Sequence, residues 1–85
     1  MTDLATITRI ITDELSNSRL FYTPPEITCE TSLAGDLRCD ALDLCCIAMD
    51  IEEQLGVSLP EREVERLQTV GELVDLVVAY EAQAA

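Results

Sequence analysis

The sequence predicts an all-α domain, a small four-helix bundle with one short helix and a long loop between helices 1 and 2. Three observations carry this. Apolar residues recur at three- and four-residue steps in three separate segments of the 85-residue chain, no segment alternates with the two-residue period of a half-buried strand, and Pro24-Pro25 breaks the pattern after the first segment. There is no internal repeat, so residues 1–85 read as a single domain. A chain of this length buries only about 60% of its unfolded surface and holds one modest core.

Leu4, Ile7, Ile10, Ile11 and Leu15 form one apolar stripe, which predicts a first helix over residues 3–17 with Thr2 as its cap. The two prolines, which fix φ and lack N–H groups, make residues 18–39 a long loop. Its apolar members Leu20, Phe21, Ile27, Leu33 and Leu37 are expected to lie over the core. A second helix opens at Asp40, a carboxylate suited to capping, and ends at Gly56. On it Asp43, Asp50 and Gln54 make a narrow polar strip, while Leu42, Leu44, Cys45, Cys46, Ile47, Ala48, Met49 and Ile51 spread around the rest. A helix so apolar is buried on more than one side or meets a partner. Residues 60–66, PEREVER, read as a short charged helix with proline in its first turn. Thr69 then caps a last helix that turns Val70, Leu73, Val74, Val77 and Val78 inward.

Seventeen acidic and five basic residues give a net charge of −12. That surface repels phosphate backbones and anionic lipid and steers the chain toward basic patches on proteins, so neither nucleic acid nor membrane is an expected partner. Hydrophobic content of 48% at helical spacing argues for a fold rather than disorder. The first residues lack a secretory pattern and no apolar run reaches a membrane span, which predicts a cytoplasmic monomer. Cys29, Cys39, Cys45 and Cys46 lack the spacing of a zinc or redox motif and are expected to be reduced, with Cys45 at least acting as a small core residue. Histidine is absent, and with it the commonest general base and metal ligand. No nucleophile and base converge, so the chain is not expected to be an enzyme. Asp36, Asp40 and Asp43 lack the ligand alternation and central glycine of a calcium loop, and no metal is expected.

Residues 40–43, DALD, sit where a helix begins, preceded by ITCETSLAGDL at 27–37 and followed by IAMDIEEQLGVSLP at 47–60 and LQTVGELVDLV at 67–77. In order and spacing these segments resemble the acyl carrier proteins, which carry acyl thioesters on a phosphopantetheine arm esterified to the serine of an Asp-Ser-Leu motif. Here Ala41 stands at the attachment position, so no arm is expected on this chain, although the serine form would bear one. The resemblance carries over Asp40 and Leu42 as the residues flanking the attachment point. It also implies Asp36, Asp43, Glu52 and Glu53 as acidic contacts for basic surfaces of partners, namely a phosphopantetheinyl transferase and acyl-transferring or acyl-synthesising enzymes.

Leu44 and Cys46 replace residues that are usually polar and acidic in the family, and Leu44 is expected to face outward as an apolar partner contact. Cys39, two residues before Ala41, has mostly acidic neighbours and nothing to lower its pKa. Ser32 and Thr31, the nearest hydroxyls before the motif, are not at a helix start. Two readings of Ala41 remain. Either it replaces a native serine in a carrier of fatty-acid, polyketide or related lipid synthesis, or alanine is native and the domain docks to carrier-dependent enzymes without carrying anything.

Overall fold

The computed structural model describes residues 2–84. Four helices follow in order, α1 (Leu4–Ser18), α2 (Ala41–Leu55), α3 (Glu61–Glu65) and α4 (Val70–Ala84). α1 packs against α2 and α4, and α2 packs against α3. The core is built from Ile7, Ile10, Ile11 and Leu15 of α1, Ile47, Ala48 and Ile51 of α2, Val64 of α3, and Val70, Leu73 and Val77 of α4. Val74 and Val78, also expected inside, are half-buried at the edge of that face.

The cap of α1 is Asp3, not Thr2. The Asp3 carboxylate accepts the Thr6 amide at 3.0 Å, and this hydrogen bond lowers its pKa. Thr2 is instead buried, its amide donating to Glu81 Oε1 at 3.1 Å and so tying the start of the chain to α4. α2 ends at Gly56 with φ 69°, a left-handed cap whose amide returns to the Glu52 carbonyl at 3.0 Å. Pro60 caps α3 from just outside it. Thr69 caps α4 reciprocally: its Oγ1 accepts the Glu72 amide at 3.2 Å, and Glu72 Oε1 accepts the Thr69 amide at 3.1 Å.

The loop before α2 is part of the core rather than a cover on it. Leu33 and Leu37 are fully buried and Ile27 is half-buried, as expected. Leu20 and Phe21 depart from the expectation and stand in solvent, 87% and 94% exposed. Both lie before the point where the loop is stitched to the α3–α4 connection. There Ser32 and Thr69 form an isolated antiparallel bridge, the Leu33 amide bonds the Gln68 carbonyl at 2.9 Å, and the Val70 and Gly71 amides bond the Thr31 and Cys29 carbonyls at 3.0 and 2.9 Å.

That stitch leaves no room for a side chain at Gly71, where a Cβ would lie 2.9 Å from the Cys29 carbonyl oxygen and 3.0 Å from its Cβ. Gly71→Ala is therefore expected to destabilise the domain by about 1–3 kcal/mol, despite alanine's better helix propensity. A denaturant titration checks it, and a variant as stable as the parent would show that the backbones separate freely.

Between α1 and α2, the polar strip expected on α2 meets polar residues of α1. Gln54 Oε1 accepts from Arg9 Nη2 at 3.2 Å, and Asp50 faces Glu14. A hydrogen bond with Asp50, then burial and the Asp50 charge, raise the Glu14 pKa above its usual 4.5. Asp43 and Cys46 also face Glu14, and Arg9 pairs with Asp13 at 3.6 Å. A raised carboxyl pKa adds stability below the ordinary value, and that contribution is lost as pH rises through the folded value. Glu14→Gln should accordingly raise the melting temperature at pH 7, where the parent bears two facing carboxylates. The gain should vanish near pH 4, where the parent already holds the proton. An equal gain at both pH values would show that Asp50 does not raise the Glu14 pKa.

Candidate functional site

The head of α2 is closed by a reciprocal pair of aspartates. Asp40, in extended conformation, accepts the Asp43 amide at 2.8 Å, and Asp43 Oδ2 accepts the Asp40 amide at 3.2 Å. Ala41 follows as the first residue of the helix, with its side chain exposed, and Leu42 beside it is 70% exposed. The Asp43 amide is already occupied, and Asp40 and Asp43 already set negative charge against the dipole.

Arg19, just beyond α1, organises the approach to this helix. Its guanidinium donates to the Leu37 carbonyl at 2.7 Å, to the Arg38 carbonyl at 2.9 Å and to Asp43 Oδ2 at 3.0 Å, and it lies 5.0 Å from the centre of the Tyr22 ring. Burial alone would lower the Arg19 pKa, but the hydrogen bond and charge of Asp43 outweigh it and raise it. The clamp holds residues 37 and 38 where Arg38 takes a left-handed backbone, φ 53°, before the chain turns into Cys39 and Asp40. Sequence reasoning missed Arg19. A single arginine after a helix carries no motif, and its three acceptors come from residues 18 to 24 positions away.

The residues expected to meet partners are distributed unequally. Asp43 is engaged by Arg19 and the cap. Asp36 Oδ2 accepts the Ser32 amide at 2.8 Å, and Glu52 Oε2 accepts the Leu59 amide at 2.7 Å, so both brace loops, while Glu53 is exposed. Leu44 does not face outward. It is half-buried and packs on the core, because position 44 shares a face with Ile47 and Ala48, which are buried. The exposed apolar row consists of Leu42, Cys45 and Met49, at the i, i+3, i+7 spacing of one helix face. Cys45 is thus exposed rather than a core residue, and the buried cysteine is Cys39. Burial, then the charge of Asp43, raises the Cys39 thiol pKa against the opposing Arg19, which leaves it protonated and a poor nucleophile. All four cysteines are free thiols. Ser32 is half-buried, and its Oγ accepts the Gly35 amide at 2.9 Å.

Ala41 opens onto a crevice of about 230 Å³ between α2 and α3, lined by Cys39, Asp40, Ala41, Leu44, Glu61, Val64 and Glu65. A second hollow of about 170 Å³ continues it along α2, with Ala48, Leu59 and Val64 as its apolar lining and Cys45, Glu52 and Glu61 beside them. Glu61 and Val64 line both. The α3 contribution was not foreseen, since a charged heptapeptide gives no sign that its single valine supplies a floor.

The family model described as the phosphopantetheine attachment site matches residues 5–77. The chain belongs to the acyl carrier protein family. An acyl carrier protein of Rubrobacter xylanophilus is 40% identical over 68 residues, which cover 80% of this chain and 84% of that protein. One from Thermosynechococcus vestitus is 35% identical over 74 residues, 87% of this chain and 85% of the relative. The solution structure of the acetyl actinorhodin acyl carrier protein from Streptomyces coelicolor superposes with a TM-score of 0.82 at 24% identity, covering 99% of this chain and 95% of that one, a likeness of fold. Members of the family are carriers and not enzymes, and phosphopantetheine is their cofactor. Among the described residues no helix is long and apolar enough to cross a membrane.

Proposed function

We propose that this chain is an acyl carrier of fatty-acid, polyketide or related lipid synthesis in a form that lacks its point of attachment. One observation carries the reading. Residue 41 is the exposed first residue of a well-capped helix at the mouth of the α2–α3 crevice, and alanine differs from serine there by a hydroxyl alone. As it stands, Ala41 does not fit covalent attachment of phosphopantetheine. A serine at this position would supply the oxygen that bonds the phosphorus of the arm, while the diphosphate linkage of coenzyme A breaks, its adenosine bisphosphate half leaves and the hydroxyl proton departs. The crevice runs beside residues 41–52 of α2, about 16 Å at 1.5 Å per residue, and its apolar floor suits an acyl group folded back against the domain.

Asp40 and Leu42 flank the attachment point, and Glu53 is a free acidic contact for basic enzyme surfaces. Asp36, Asp43 and Glu52 act by holding the loop and helix ends while adding to the same negative field. Leu44 supports that face from beneath. The domain acts as a cytoplasmic monomer, its net charge of −12 opposing self-association. The second reading, a module that docks and carries nothing, is favoured by the exposed Leu42, Cys45 and Met49 row, which needs no arm to make contact. The two separate on Ala41→Ser. A carrier form should take the arm from coenzyme A and then an acyl group as a hydroxylamine-labile thioester, whereas acceptance of the arm without acylation by any acyl-transferring enzyme would favour the docking module.

A further inference from the structure

Leu20 and Phe21 are the most exposed large apolar side chains of the described residues, and the chain holds them there. Phe21 sits in the left-handed region, φ 56°, which a bulky side chain adopts only when its surroundings impose it. The imposition comes from both flanks. Arg19 is fixed by its contacts to Leu37, Arg38 and Asp43, and Tyr22 packs half-buried on the core beneath the Arg19 guanidinium. The dipeptide between them is thus displayed rather than loose.

Its place and its charge narrow what could cover it. Arg19 reaches Asp43, two residues from Ala41, so the displayed pair lies within about one arginine side chain and one residue of the attachment turn. Residues 16–25, SNSRLFYTPP, contain none of the seventeen carboxylates, although acidic residues crowd the chain elsewhere. The head of α2 therefore adjoins two different surfaces, an acidic one along the helix and an apolar one without carboxylates on the loop. An enzyme acting at the tip of a long arm can stand off from both. The enzyme that joins the arm to residue 41 must bring its catalytic centre to that turn and cover its surroundings.

We infer that Leu20 and Phe21 form a second docking surface for the phosphopantetheinyl transferase, filling an apolar pocket beside the basic rim that meets α2. This rests on the carrier reading, and two measurements separate its failure from that of the reading. In the first, Ala41→Ser is loaded by a transferase with coenzyme A. Adding Leu20→Ser and Phe21→Ser should raise KM for the carrier at least tenfold, leave kcat within twofold, and leave the melting temperature unchanged because neither side chain is buried. In the second, the chain bearing Ala41 should compete with loading of another carrier protein by the same transferase, and the Leu20→Ser/Phe21→Ser pair should abolish that competition. Unchanged KM together with undiminished competition would overturn the assigned surface while the carrier reading stands. Absence of both loading of Ala41→Ser and competition by the parent chain would overturn the two together. A pair of substitutions that raised KM while lowering the melting temperature would make the dipeptide structural and likewise overturn its role in docking.

Discussion

Leu33→Ala should lower the melting temperature by roughly 8–40 °C, the largest effect expected of a substitution outside the helices. Leu33 is fully buried although it lies in a loop, its amide bonds Gln68 and its carbonyl accepts the Cys39 amide at 2.8 Å, one residue before the α2 cap. Removing a buried leucine side chain costs about 2–5 kcal/mol, and in a domain of this size each kcal/mol moves the midpoint by about 4–8 °C. The loss should also loosen the head of α2, because residues 33 and 39 lie at the two ends of the final loop segment. Hydrogen exchange should accordingly speed up at the Cys39 amide as the melting temperature falls. A shift of only a few degrees would mean that the loop covers the core without completing it.

Arg19→Ala should come next, at about 2 kcal/mol or roughly 8–16 °C. One guanidinium satisfies two loop carbonyls and shares the Asp43 carboxylate, in a site where both side chains are only 24% exposed. Hydrogen bonds to a charged group contribute about 1.5–3 kcal/mol, and their removal leaves the Leu37 carbonyl in a poorly hydrated place. Arg19→Lys should recover only part of the loss, since an ammonium lacks the planar fork that spans adjacent carbonyls. Equal stability of the alanine and lysine variants with the parent would make the clamp incidental.

Much of this architecture was legible because it depends on local chemistry. Period and capping residues place both ends of the first three helices and the start of the fourth to within about two residues, since Asp40, Gly56 and Thr69 act through neighbours three or four positions away. Most of the misreadings concern what a distant segment does. Thr2 is an exception in part: its neighbour Asp3 takes the cap by accepting the Thr6 amide, while the Thr2 amide goes to Glu81 of α4. Leu44 and Cys45 were assigned to the wrong sides because α2 is apolar nearly all round, so its composition does not say which of its apolar faces α1 and α3 cover. Leu20 and Phe21 looked like core because they are apolar, and what holds them in solvent is an arginine whose partners lie 18 and more residues ahead. In the site, the attachment turn was readable as DALD, whereas the crevice beside it required knowing that Val64 and Glu61 of α3 come to lie along α2.

The central claim, that this domain keeps the whole setting for an acyl arm and lacks only the oxygen that bonds it, is tested most directly by intact mass. The parent chain and Ala41→Ser would each be incubated with coenzyme A and a phosphopantetheinyl transferase. The parent should gain no mass, and Ala41→Ser should gain one phosphopantetheine group, localised to residue 41. The claim would be contradicted if Ala41→Ser stayed unmodified with several transferases, or if the parent gained the group at Ser32, Cys39 or any other residue.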